Sequence, residues 1–280
     1  MIDALTHFDF LRRALVSGLV IGCIAPVIGV FLVVRRLSMI ADSLSHVTLT
    51  GIAFSLLLSK HAPLLAGLNP VFMGMTFSVG GALAIEKFRH TYRHYQEIAI
   101  PLIMSTGIGF GVLFISLANG FNTDLFAFLF GSIIAVRQSD MVTIVVVGLI
   151  VLFAVCFLFK ELFSLSFDEE NARTTGMPRK TINFIFIVMV ALVIAAAMRI
   201  VGILLVSSLM VLPVAASMKI AKSFKQTFFY AVLFGELAVL SGMYFSYVLD
   251  WAPGGTIVVF SFLILCIVLL VNKWLLRAES

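Results

Sequence analysis

Charge is what this chain lacks: Asp, Glu, Lys and Arg make up only 12% of its 280 residues, against about 25% in a soluble domain. With 61% hydrophobic residues, 19 Lys+Arg and 14 Asp+Glu cannot cover a water-soluble globule of this size. That excludes a soluble fold. Cysteine is scarcer still. Cys23, Cys156 and Cys266 each sit in an apolar run without a spaced partner, which argues for reduced, packed thiols rather than a disulfide or thiolate metal site. Also missing are GxxxxGK[ST], HExxH and CxxC, so the chain has no P-loop with which to hydrolyse a nucleotide. It is expected to be no enzyme.

What is present is apolar length. The mean hydropathy is +1.15, and a membrane-spanning helix needs about 20 apolar residues. Such runs cover Ala14 to Val34, Met39 to Leu58, Leu64 to Ile85, Ile98 to Leu117, Met141 to Phe159, Ile182 to Met198, Ile200 to Met218, Thr227 to Leu249 and Thr256 to Leu276. The run from Leu125 to Val136 would reach only about 18 Å across a core of about 30 Å, so it is expected to be re-entrant or interfacial. Arg35/Arg36, Lys87/Arg89/Arg93, Arg173/Arg179/Lys180, Lys219/Lys222/Lys225 and Lys273/Arg277 then share one side, the cytosolic one by the positive-inside rule. Arg12, Arg13, Lys60, Arg137 and Arg199 are exceptions to this side assignment. The net charge of +5 is thereby used for orientation, and no nucleic-acid partner is implied.

The expected fold is all-α: a polytopic bundle of about nine spans, or eight if the Pro213-broken segment does not cross. One transmembrane domain covers 1–280. No small-residue cleavage pattern follows Arg12 and Arg13, so the first span is expected to be retained. Gly18 with Gly22, and Gly107 with Gly111, form small-xxx-small pairs suited to close helix approach. Pro26 is expected to kink the first span.

Within the spans only Asp42, His46 and Glu236 are ionisable away from the ends. A charged side chain at bilayer depth costs about 2.5 to 3.5 kcal/mol on insertion scales, so each needs a partner or a function. Asp42 and His46 are four apart and share a helix face. Ser43, Ser45, Thr48 and Thr50 around them make a polar stripe unlike any other span. A carboxylate plus an imidazole suits zinc, manganese or ferrous iron; an intrahelical ion pair is the structural alternative. Glu236 is a further pathway candidate, or a protonated or hydrogen-bonded carboxyl. His90 and His94 repeat the spacing among Lys87, Arg89 and Arg93, and read as solvated. His7, His61 and the 12 methionines read as outer-loop and packing residues.

The longest polar stretch is 160–181. Ser166 with Glu169 has capping-box spacing, Asp168 and Glu170 suit a first helical turn, and Gly176 and Pro178 supply a stop. These signals predict a short cytosolic helix that either is an ordinary loop element or docks into a partner.

Five blocks carry a resemblance: Phe31-Leu-Val-Val-Arg-Arg-Leu-Ser-Met-Ile-Ala-Asp-Ser-Leu-Ser-His46-Val-Thr-Leu-Thr-Gly51, Leu129-Phe-Gly131, Phe167-Asp-Glu-Glu-Asn-Ala-Arg-Thr-Thr-Gly-Met-Pro178, Gly202-Ile-Leu-Leu-Val-Ser-Ser-Leu-Met-Val-Leu-Pro213 and Pro253-Gly-Gly-Thr-Ile-Val258. In order and over nearly the whole chain, they resemble the membrane subunits of zinc/manganese/iron ABC importers. The resemblance implies a multi-pass protein of a bacterial cell membrane. Two copies would form a pathway, cytosolic ATPase subunits would bind beneath, and an extracellular metal-binding protein would deliver the ion. No cofactor would be held permanently, the transported metal being cargo. By the same resemblance Asp42 and His46 serve metal passage, and Phe167, Asp168, Glu169, Glu170, Ala172 and Gly176 belong to a coupling helix. The wording Ser-His-Val-Thr-Leu-Thr-Gly is similar to zinc permeases, whereas manganese and iron members tend to Ser-His-Ala-Val-Leu-Pro-Gly. The alternatives are manganese or iron in the same importer type, and a self-sufficient proton-coupled transporter or channel using Asp42, His46 and Glu236 as a relay.

Overall fold

The computed structural model describes residues 9–61, 69–92, 95–118, 120, 123–167 and 177–278. These residues form eleven α-helices: α1 Asp9–Val34, α2 Ser38–His61, α3 Pro70–Thr91, α4 Ala99–Leu117, α5 Thr123–Phe130, α6 Gln138–Phe157, α7 Phe159–Phe167, α8 Arg179–Val201, α9 Val206–Ile220, α10 Phe224–Leu249 and α11 Pro253–Ala278. Eight of them are long and apolar enough to cross a membrane. The ninth expected span, α9, has 15 residues, about 22 Å of helix. It starts one turn after Gly202 and reaches Lys219, whose carbonyl accepts a hydrogen bond from Asn272 late in α11. Together with the turn before it, α9 returns the chain to the side where the basic residues lie. The run expected to be re-entrant is the eight-residue α5 followed by a non-helical stretch to Arg137.

Helix α8 is apolar around its circumference, the pattern of a fully enclosed helix, and all its residues from Met189 to Val201 except Leu192 are buried. It packs against α1, α2, α3 and α6. On one side of this centre α2, α3 and α4 pack together; on the other side α9, α10 and α11 do so, with α1 joining the second group. The two small-xxx-small pairs meet neighbours as expected: Gly18 and Gly22 face Met243 and Glu236 of α10, while Gly107 and Gly111 face Val47 and Thr50 of α2.

Three glycines from separate blocks converge at the outer end. Gly131 and Gly202 both have positive φ, 80° and 81°. A Cβ on Gly131 would collide with the Ile200 carbonyl, one on Gly202 with the Leu129 carbonyl, and one on Gly254 with the Val201 carbonyl. Because no side chain intervenes, main-chain bonds form: Ser132 N–H donates to the Arg199 carbonyl at 3.0 Å and Ile203 N–H to the Phe128 carbonyl at 2.9 Å.

The cytosolic end is held by rings. Phe31 is fully buried, and its ring centroid lies 5.2 Å from Phe228, 5.8 Å from Phe224, and 6.2 Å from both Phe159 and Phe186. Phe224 in turn meets Phe163 at 5.1 Å and Phe167 at 5.3 Å. This packing corrects the expected capping box. Ser166 lies in the last turn of α7, and its hydroxyl donates to the Leu162 carbonyl at 2.6 Å instead of opening a helix. Buried Leu162 and Leu165 plus the phenylalanine face extend α7 through Phe167, so tertiary packing outweighs the local cap signal. Asp168, Glu169, Glu170, Ala172 and Gly176 lie outside the described residues.

Gly202 occupies φ 81°, ψ 146°, a region essentially restricted to glycine, where other residues cost about 1–3 kcal/mol before any clash. Gly202→Ala is therefore expected to lower the melting temperature of the detergent-solubilised protein by several degrees. Gly80→Ala, with nothing within 4 Å of its added carbon, should leave it within a degree or so of the parent, as about 0 to 0.5 kcal/mol is usual for such surface changes.

Candidate metal site

The polar stripe of α2 divides in two once its partners are known. Ser45 donates to the Ala41 carbonyl at 2.9 Å and Thr48 to the Leu44 carbonyl at 2.7 Å, each one turn back. Thr50 donates to the Gly107 carbonyl of α4 at 2.6 Å as well as to His46, and Ser43 reaches the Ile100 carbonyl at 3.3 Å. Hydroxyls that return to main-chain carbonyls satisfy themselves inside the bundle, so these four serve packing. Asp42 and His46 remain, both half-buried and one above the other on the same face. Asp42 Oδ1 accepts a hydrogen bond from Ser207 Oγ, 3.0 Å away on the first turn of α9. Leu49 continues the face outward and Ala53 follows it; both pack with Leu125 and Leu129 of α5, which places the short helix over the outer continuation of the pair.

Carboxylate, imidazole and hydroxyl together offer oxygen and nitrogen donors that suit a first-row divalent ion. They do not make a closed cage: among the described residues no three His, Cys, Asp or Glu side chains group closely enough to hold an ion. Glu236 is not joined to the pair. It lies in the seam between α10 and α1, its carboxyl packed flat on Gly22, with Oε2 buried and, among the described residues, without a hydrogen-bond partner. His90, in the last turn of α3, touches Lys180 Nζ at 3.2 Å, in keeping with its assignment to the basic rim; His94 and His7 lie outside the described residues.

Two arrangements were not visible in the sequence. Ser207 is one, and its only signal was a hydroxyl pair following Gly202. The other is a buried outer network that accounts for an exception to the charge rule. Arg199 Nε lies 3.3 Å from Asp140 Oδ2, their side chains being 9% and 1% exposed. Asn69 donates to Asp140 Oδ1 at 3.1 Å and the Arg137 main-chain N–H to Oδ2 at 3.1 Å. The Arg199 guanidinium also stands 4.3 Å over the Phe128 ring, which ties α8 to α5.

A bundle with eight helices long and apolar enough to cross a membrane, and with a carboxylate and an imidazole on one face of α2, defines a polytopic membrane protein with an oxygen and nitrogen donor pair inside it. The profile of the ABC 3 transport family matches residues 7–272, and the chain belongs to that family. It is 30% identical over 269 residues to a manganese transport system membrane protein, MntC, of Listeria monocytogenes, covering 96% of this chain and 93% of the relative. It is 27% identical over 254 residues to a high-affinity zinc uptake system membrane protein, ZnuB, of Haemophilus influenzae, covering 91% and 94%. The solved structure of PsaBC from Streptococcus pneumoniae in complex with Fab superposes with a TM-score of 0.85 at 30% identity, covering 100% of this chain and 98% of that one. Relatives named for manganese and for zinc both align end to end, so the lean toward zinc gains no specific support from them. The geometry supplies a reason. The residues that carry the zinc-like wording point away from the Asp42 and His46 face: Val47 packs under Gly81 and Gly107, the Thr48 methyl lies near Gly74, and Thr50 binds the Gly107 carbonyl.

Removing one member of a buried ion pair strands the other and costs about 3–5 kcal/mol. Asp140→Asn is thus expected to lower the melting temperature in detergent sharply. Combining Asp140→Leu with Arg199→Met should recover much of the loss. A double variant no better than Asp140→Asn would show that the hydrogen bonds to Asp140 from Asn69 and the Arg137 main chain matter more than the pair.

Proposed function

We propose that this chain is the membrane-spanning subunit of an ATP-driven importer, and that two copies pass a divalent transition metal, zinc, through Asp42 and His46. The observation that carries the reading is the pair itself: a half-buried carboxylate and imidazole one turn apart in a helix whose neighbouring hydroxyls bond to main-chain carbonyls, with Ser207 holding the carboxylate. Few donors make a weak site, and a permeating ion must leave as readily as it enters. Membership of the ABC 3 transport family and the absence of a P-loop support a separate ATPase subunit as the energy source, and in this reading an extracellular metal-binding protein delivers the ion. Zinc rests on the Val47, Thr48 and Thr50 wording, and the oxygen and nitrogen donors accept zinc and manganese alike.

In this reading the segment after Phe167 is the ATPase contact. Its displacement would pass through Phe167 and Phe163 to Phe224 at the start of α10, and through Phe228 to Phe31, just before the Arg35–Leu37 turn that leads into α2. Dense interiors transmit strain, so a push at the cytosolic face would reach the helix that carries Asp42 and His46.

Asp42→Ala and His46→Ala are each expected to abolish radioactive zinc uptake by cells while the protein stays in the membrane at parental levels; normal uptake by either variant would overturn the reading. Uptake with manganese competing against zinc decides the cargo, zinc prevailing if the wording is sound. Uptake by the reconstituted subunit alone, driven by a proton gradient without ATP, would favour a self-sufficient transporter. Phe224→Ala is expected to leave ATP hydrolysis by the assembled complex in place and reduce metal uptake several-fold. Equal loss of both would mean that the ring cluster is structural only.

A further inference from the structure

On the cytosolic side the last turns of α3 and the first turns of α8 enclose a groove of about 580 Å³. Its walls follow the same order on both helices. Leu83 on α3 and Phe184 on α8 lie deeper in the membrane, and Lys87 and Lys180 stand one turn nearer the cytosol. Lys180 is held at the rim because its ammonium donates to His90 Nε2 at 3.2 Å, which leaves further N–H donors on the same nitrogen. Glu86, also lining the groove, has Oε2 buried and, among the described residues, without a hydrogen-bond partner. Such an oxygen needs a donor.

We propose that this groove binds the headgroup of an anionic glycerophospholipid of the cytosolic leaflet, a phosphatidylglycerol, with its phosphate between Lys87 and Lys180 and an acyl chain along Leu83 and Phe184. Basic pockets between spans on this side are where anionic headgroups bind. Two lysines against one carboxylate, with His90 neutral as the acceptor of Lys180, leave one net positive charge, which matches one phosphodiester. Free phosphate satisfies the lysines alone. A glycerol headgroup adds hydroxyls that can donate to Glu86 Oε2, and its acyl chains cover the apolar wall. The inference is independent of the cargo, since none of these residues belongs to the pair on α2.

The test is native mass spectrometry of the permease purified in detergent with its ATPase subunits, with phosphatidylglycerol, phosphatidylcholine, phosphatidic acid or inorganic phosphate added. The parent should retain phosphatidylglycerol over phosphatidylcholine. Lys87→Gln and Lys180→Gln should each lower that retention about fivefold without altering phosphatidylcholine. Glu86→Leu should narrow the preference for phosphatidylglycerol over phosphatidic acid, which has no headgroup hydroxyl. Lys87 is exposed, so Lys87→Gln carries the test alone if Lys180→Gln, having lost its bond to His90, lowers the melting temperature. Unchanged retention in Lys87→Gln overturns the proposal, as does displacement of the lipid by inorganic phosphate, which would make this a phosphate site.

Discussion

Everything in this bundle depends on one exchange of main-chain hydrogen bonds at its outer end. Inside a membrane a main-chain group without a partner costs several kcal/mol, so non-helical backbone survives there only where protein satisfies it. This chain has two such interruptions close together, 131–137 after α5 and 202–205 before α9. Each supplies what the other needs: Ser132 donates to Arg199 and Ile203 to Phe128. Gly131, Gly202 and Gly254 make the approach close enough. The consequences reach the Asp42 and His46 pair. The junction sets α5 over the outer continuation of the Asp42 and His46 face, and it starts α9 where Ser207 meets Asp42.

Much of this was legible in the sequence because the membrane is a severe selector. Low charge identified the solvent, apolar run length identified the spans, and the same scarcity made Asp42, His46 and Glu236 conspicuous. The shortness of the run at 125–136 was enough to show that it could not cross. What escaped was every relation between distant segments. Nothing local says that Arg199 belongs to Asp140 or Ser207 to Asp42, since each pairing exists only after helices from different parts of the chain are packed. Ser166 escaped for the converse reason. Its capping signal is real but local, and the rings of Phe163 and Phe167 against Phe224 outweigh it.

The division of the α2 stripe bears on how a permease of this kind distinguishes metals. Val47, Thr48 and Thr50 draw the eye because they stand next to Asp42 and His46 and carry the zinc-like wording, yet these side chains fill the contacts with α3 and α4. A difference there changes helix spacing and tilt before it changes any donor. If the proposed function holds, preference for one ion would be expressed in how these contacts set the position of Asp42 and His46, a matter of distances within the same chemistry.

The phenylalanine cluster around Phe31 has a kinetic implication. Seven rings drawn from α1, α7, α8 and α10 interlock edge to face and tilted, and close-packed interiors rearrange between discrete arrangements rather than deforming continuously. A load applied at Phe167 therefore meets something closer to a detent than to a spring: below a threshold the rings hold, and above it they step to a new set of rotamers together. Such a latch would answer a load at Phe167 in discrete steps and ignore displacements below the threshold.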